Sequence, residues 1–533
     1  MLFLTFDSHH DGLVLSTIRF TRDAISTNTP LPFNQYGPAW SIFGTLTTFV
    51  VPFEYLMLSL RLLTLSIYAL TAFLIYKYSK QFMSQRVAIL SLSIYLVAQP
   101  FVSTYQSGFM SWPSTYVSPI LLFLLFAFAS LEKRNSLLTR YRLYSWITFL
   151  LLFLIFTRLQ VGLLSLAFAL LFTLIYLPKI DFFRFFITLL SLTTFTLLVM
   201  SKSELFKFAL KDGFNYGIFH AASDLPFTIP TLSLLGAIGW GIIYLFFWKI
   251  QDVRISFSLL YSLSALVLII FVIGIYLVFR DRNLNFFGFT SMLQRRLWVS
   301  LFICAAALCI YIFMRFLMIF FIKREKPEPI YLSLIVFSLI GFTQSYPLFD
   351  QMHVWWGSVP LILVIARNIL RISFFSTPGF RSPLIITLCF CLILNSVLVL
   401  QSITREEIAF KSVGVNNLRD RPNVVQTYEM VSFLIKDNIP EGATVQNLCP
   451  DANVFLTENK YRSTSYLPVY WSNFALTPYM KESLKSQPGS FIMDCLGAVD
   501  STPELFEISN KNLTLVAELN DGFARNWQIY FYR

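Results

Sequence analysis

The chain has 533 residues, of which 56% are hydrophobic, 17% aromatic and 13% charged, and its formal charge is +12. Soluble domains carry roughly 25% charged residues, so a soluble globular protein is excluded and a helical membrane protein is expected. Beyond Thr404 the chain holds 12 Lys+Arg against 15 Asp+Glu, and before it 29 against 14. The excess cations lie between apolar runs, where they orient spans. They do not form one basic domain, so nucleic acid is not an expected partner.

The first six residues, MLFLTF, are shorter than a signal peptide or a span; they read as the tail of a span that would precede them. FDSHHDG follows and sets Asp7 and Asp11 around His9 and His10, two of only four histidines in the chain. In LVLSTIRFTRDAI, residues Val14, Ile18 and Ile25 share one helical face, with Arg19, Arg22 and Asp23 elsewhere, as in a helix lying along a membrane interface. STNTPLPFNQYGPAW is then a turn punctuated by Pro and Gly.

Apolar segments of near-spanning length fall at 58–77, 87–100, 114–130, 143–157, 161–177, 182–200, 231–248, 256–279, 297–322, 330–346, 357–370 and 384–403. The expected fold is thus an α-helical polytopic membrane protein of about 12 transmembrane helices. Alternate connections carry 17 Lys+Arg and the opposite ones 10. The richer side is cytoplasmic by the positive-inside rule. The first outer loop, residues 5–38, all four histidines and everything beyond Thr404 then face outward, in a multi-pass protein of the cell membrane.

The division expected is a transmembrane domain over 1–403 and a small extracytoplasmic α/β domain over 404–533. In the latter, VVQTYEMVSFLIKDNIPEGATVQNL reads as helix, turn and strand, and PGSFIMDCLG, LTLVAEL and WQIYFYR as further strands. Cys449 and Cys495 each end a strand there; an oxidising compartment permits a bridge, and unpaired burial is the alternative. No CxxC or HExxH spacing occurs. No metal site is expected and no cofactor is obligatory; a divalent cation has no motif behind it.

Carboxylates at a membrane edge, facing water but backed by apolar surface, suit a general base for an acceptor hydroxyl. A solvated loop with Asp7 capping a turn is the plain reading. In FTQSYPLFDQMHVWWGSVP, Asp350 and His353 are one helical turn apart, while Trp355 and Trp356 suit the bilayer interface or a sugar ring. Arg158 interrupts an apolar run too long for one span, so 157–162 is expected to be a tight outer turn. The guanidinium there either lines a pathway to a phosphate or snorkels to headgroups. Arg295 and Arg296, in RDRNLNFFGFTSMLQRRLW, add cations to the outer side that suit bidentate phosphate binding. His220 and Asp212 lie in a long outer loop whose residues one sequence cannot rank.

The acidic motif, interfacial helix and PFNQYGP, followed by many spans and an outer α/β tail, resemble the C-fold (GT-C) glycosyltransferases, which include protein O-mannosyltransferases and aminoarabinose transferases. The mannosyltransferase pattern Phe-Asp-Glu-x-His-Phe-Gly is matched in register by Phe6, Asp7, His10 and Gly12; Ser8 replaces the second acid, and Asp11 supplies a carboxylate three residues later. The resemblance implies an inverting transfer from a polyprenyl-phosphate sugar to a lipid, glycan or protein hydroxyl. An acid of the first outer loop, Asp7 or Asp11, is then the base. His10, Arg158, Arg295, Arg296, Asp350 and His353 are donor-binding candidates. A transporter or flippase for a lipid-linked glycan is the alternative. It calls for paired ionisable groups near mid-membrane, whereas the polar clusters gather on one side.

Overall fold

The structure is a computed structural model. It describes residues 10–32, 37–99, 111–131, 137–206, 233–239, 286–345, 351–371, 408–411, 418–420, 422–458, 460–463, 488–495, 512–520 and 526–533, with a few single positions between them.

The apolar runs become helices. In chain order they are α1 (His10–Thr27), α2 (Ala39–Thr48), α3 (Phe53–Phe82), α4 (Gln85–Ala98), α5 (Pro113–Leu131), α6 (Leu137–Ile155), α7 (Leu159–Tyr176) and α8 (Lys179–Lys202). After these come α9 (Phe286–Met318), α10 (Pro329–Phe342), α11 (Gln351–Gly357) and α12 (Val359–Arg371). Among the described residues five helices are long and apolar enough to cross a membrane: α3, α5, α7, α8 and the stretch Trp298–Lys323 that begins inside α9. The 14 residues of α4 and 13 of α12 reach only about 20 Å at 1.5 Å per residue, short of the roughly 30 Å hydrocarbon core. Of the expected spans, 256–279 and 384–403 lie outside the described residues, and 231–248 is described, as helix, only at 233–239 and 241–242.

Among the described helices the expected boundary that moves furthest is the start of α9. The segment expected at 297–322 starts eleven residues earlier, at Phe286, so Arg295 and Arg296 lie inside a helix and not in a loop. Apart from Gly288, FFGFTSMLQRR holds no helix breaker, and its Met, Leu, Gln and Arg are good helix formers.

Short connections make successive helices antiparallel, so the bundle has two distinct ends. At one, Arg140 at the start of α6 and Arg184 in α8 both bond Asp181, Tyr176 Oη donates to Pro327 O at 2.6 Å, and Arg367 faces Glu328 at 3.6 Å. These residues belong to the connections rich in Lys and Arg. The other end carries α1, α2, the α6–α7 turn and α11.

The C-terminal part is an α/β layer on that second end. Its helices are α13 (Pro422–Asn438) and α14 (Asn453–Glu458). Its strands are β1 (Ile408–Ala409), β2 (Arg419–Asp420), β3 (Thr444–Asn447), β4 (Arg462–Ser463), β5 (Ser490–Asp494), β6 (Leu513–Asn520) and β7 (Asn526–Tyr532). Five of them form a mixed sheet in the order β4-β3-β5-β7-β6, parallel from β4 to β5 and antiparallel beyond, while β1 and β2 pair separately. Val431, Ile435, Val445, Met493, Trp527 and Ile529 are buried at its centre. Cys449 and Cys495 are joined in a disulfide beside them.

Helix α1 ties the two bodies together. Val14, Leu15 and Ile18 are buried in the helical core, while Phe20 packs edge-on against Tyr461 at 5.4 Å, in the core of the layer. The sequence suggested a helix resting on the lipid surface; instead α1 is enclosed between helices and layer. Its arginines explain why. Arg19 Nη1 donates to Thr457 O at 2.6 Å, and Arg22 Nη1 donates to Val51 O at 3.0 Å. Both guanidinium groups satisfy backbone carbonyls on the neighbouring bodies.

Candidate functional site

The described end of the opening motif, Asp11 and Gly12, lies where α1 meets both bodies. Gly12 faces α14: a Cβ there would come within 3.0 Å of Val454 Cγ2, so the missing side chain lets the layer settle on α1. One residue earlier, the Asp11 carboxylate points the other way. Its Oδ2 accepts from Arg61 Nη2 at 2.9 Å, and both residues are only 1% exposed.

Sequence reasoning missed Arg61. It is the ninth residue of α3, about 12 Å along the helix axis, and it was absorbed into the apolar run at 58–77. The available signal was a lone guanidinium in an apolar helix, which needs a partner. Taking both charges out of water costs several kcal/mol per ion, recovered only by close pairing and further hydrogen bonds. The pair therefore fixes α1 over the mouth of α3 at one rotation, and with it the Asp11 carboxylate.

The Pro/Gly turn after α1 closes the site from the side. Gly37 has φ +92°, and a Cβ on it would lie 2.4 Å from Phe156 O. Ala39 N donates to that same oxygen at 2.9 Å. Only glycine admits both the left-handed backbone and this close approach. Gly37 and Ala39 thus dock on the α6–α7 connection at Phe156, two residues from Arg158.

Arg158 is 6% exposed, and its Nη2 donates to Ser114 Oγ at the start of α5 at 2.7 Å. It faces protein interior and does not snorkel to headgroups. Turn 343–345 packs against α7 and α11 and buries Gln344 completely, with neither amide atom bonded among the described residues. Ser345, Ser358 and Thr157 at the same end bury hydroxyls that have no partner among the described residues. Enclosed polar atoms of this kind are ordinarily met by water or a polar ligand.

His353, in α11, is partly exposed, with its ring edge-on to Trp356 at 5.5 Å. The two tryptophans beside it are not an interfacial belt, as the sequence suggested. Each is 1% exposed; Trp355 stacks on Tyr95 at 5.0 Å, and Trp356 Nε1 donates to Tyr68 Oη at 3.2 Å. Their indole N–H groups find acceptors inside the bundle, so burial leaves no polar group stranded. Such rings are packing, not a sugar platform.

The structure thus brings Asp11 and His353 to the same end as Arg158. His10 opens α1, and Arg295 and Arg296 are the tenth and eleventh residues of α9. Asp7 and Asp350 lie outside the described residues, as do His220 and Asp212. Among the described residues no group of three or more His, Cys, Asp or Glu is placed to hold a metal ion.

The described residues thus form a helical bundle, five of whose helices are long and apolar enough to cross a membrane, with a buried acid–arginine pair under an α/β cap. No family model matches the chain, and no curated protein matches its sequence. ArnT from Cupriavidus metallidurans bound to undecaprenyl phosphate is similar over 98% of this chain and 93% of its own, at 10% identity and TM-score 0.41. The apo oligosaccharyltransferase of Archaeoglobus fulgidus is similar over 93% of this chain and 67% of its own, at 10% identity and TM-score 0.44. ArnT, an aminoarabinose transferase, and the oligosaccharyltransferase are both C-fold glycosyltransferases.

Proposed function

We propose that this protein is an integral-membrane glycosyltransferase that moves a sugar from a polyprenyl-phosphate carrier to an acceptor hydroxyl. The reaction takes place at the end of the bundle beneath the α/β layer. The observation that carries the reading is the Asp11–Arg61 pair, a carboxylate and a guanidinium sealed under the layer, at the bundle end that also buries Arg158 and a Gln344 whose amide has no partner among the described residues. Polar groups enclosed at one end of an apolar bundle suit a ligand with an apolar tail and an anionic, hydroxylated head.

In a single displacement the acceptor oxygen forms a bond to the anomeric carbon as the bond to the carrier phosphate breaks, inverting that centre. A first-loop aspartate takes the hydroxyl proton, and polyprenyl phosphate leaves as an anion met by arginine. Because Asp11 is engaged by Arg61, Asp7 is assigned the proton and Asp11 the task of holding the motif. Arg158, with His10, Arg295, Arg296, Asp350 and His353, is assigned to the carrier side. No metal is needed where the leaving group is already a lipid monophosphate and cations stand nearby.

The layer is assigned to the extracytoplasmic side as a domain starting near residue 404, in a chain of about twelve spans. The Cys449–Cys495 bridge supports that side, since disulfides persist in oxidising compartments. The test is sugar transfer from a panel of polyprenyl-phosphate sugars in reconstituted membranes. Asp7→Asn is expected to lose turnover while still binding donor. Full turnover in an Asp7→Asn, Asp11→Asn double variant would reject the proposal.

A further inference from the structure

At the bundle end remote from the layer, a cleft of about 390 Å³ opens between α5 and α6. Phe123, Phe126 and Ser130 line it from α5, and Thr139, Arg142 and Trp146 from α6, at the same three- and four-residue spacing on both helices. Each set is therefore one helical stripe, and the stripes splay apart. The volume falls within the roughly 300–1,000 Å³ range of ligand sites. Phe126 backs onto Tyr78 at 5.2 Å, closing the floor, while Trp146 and Phe149, stacked at 5.6 Å, stand about half exposed at the rim. Exposed aromatic rings on a helix of this bundle face lipid, so the cleft opens sideways into the membrane.

Its charge is equally specific. Arg140 and Arg184 are both consumed by Asp181. Arg142 is exposed and makes no ion pair or hydrogen bond among the described residues. It lies five residues into α6, about 7 Å from the helix start, with the hydroxyls of Ser130 and Thr139 in the same lining. The aromatic depth beyond it is apolar. We infer that this cleft binds an anionic phospholipid of the leaflet opposite the α/β layer, with the phosphate on Arg142 and an acyl chain between Phe123, Phe126 and Trp146. The carrier lipid's reaction is placed at the other end, so this site is separate from the proposed chemistry.

The experiment is native mass spectrometry of the full chain in detergent, titrated with phosphatidylglycerol and phosphatidylcholine of identical acyl chains. Phosphatidylglycerol is expected to be retained about fivefold better, the ratio one basic residue near an anionic surface provides. Arg142→Gln should abolish that preference and Arg142→Lys keep most of it. Ser130→Phe, which fills the cleft but leaves the cation, should weaken both lipids at this site. Each variant is first matched to wild type by its melting temperature in lipid-free detergent. Equal retention of the two lipids by wild type would overturn the assignment, as would an unchanged preference in Arg142→Gln. Displacement of phosphatidylglycerol by millimolar inorganic phosphate alone would make the site one for free phosphate and refute the lipid.

Discussion

Replacing Arg61 by Met tests what holds the opening motif in place. The substitution keeps an unbranched side chain of similar length but removes the cation 2.9 Å from Asp11, leaving a carboxylate that is 1% exposed. Removing one partner of a buried pair typically costs about 3–5 kcal/mol. At about 1.4 kcal/mol per factor of ten, the folded population falls by two to nearly four powers of ten. Replacing both partners, Arg61→Met with Asp11→Leu, leaves no stranded charge and should recover most of the loss, since apolar exchange of a buried pair is often neutral. The measurement is a double-mutant cycle in mixed micelles, with unfolding driven by a denaturing detergent. The reasoning fails if Arg61→Met stays within about 0.5 kcal/mol of wild type, the range of surface substitutions. It also fails if the double variant is as unstable as the two singles summed.

Gly37→Ala drives a Cβ to within 2.4 Å of Phe156 O on a backbone with φ +92°; it should cost at least about 1–2 kcal/mol and expose the α6–α7 turn to protease, read by limited digestion. Cys495→Ser opens a disulfide spanning 46 residues and should destabilise the layer by about 2–4 kcal/mol, with earlier exchange of β3 and β5 amides than of α3 amides. Burial pushes the Tyr461 phenol above its ordinary value of 10.0. The folded layer then binds that proton more tightly than the unfolded chain, so the phenol's contribution is complete below pH 10 and declines as pH rises beyond it. Tyr461→Phe should blunt the alkaline loss of stability measured between pH 9 and pH 11, and an unchanged profile would assign that loss to other groups.

The helices were legible because a chain in lipid must write each span as an apolar run; 114–130 in sequence is α5 at Pro113–Leu131 in space. The strands of the layer were legible too, since LTLVAEL and WQIYFYR are each a single strand. What sequence did not disclose was partnership across distance. Nothing local marks Arg61 as the mate of a residue fifty positions earlier, nor Gly37 as the seat of Phe156 O. The tryptophan pair misled for the opposite reason: Trp355 and Trp356 look interfacial by type, yet their N–H groups meet Tyr95 O and Tyr68 Oη inside the bundle. Asp11 was found as a residue but not as half of a pair. Residue type suggested its chemistry, and only folding revealed its commitment.

The bond from Arg19 to Thr457 O joins positions 438 apart, and it sets a schedule. Helix α1 leaves the ribosome more than four hundred residues ahead of α14. Chains fold progressively as they are synthesised, so across that interval the nascent protein carries its acid with no roof above it. The enclosure of that end is complete only once the α/β layer has been made.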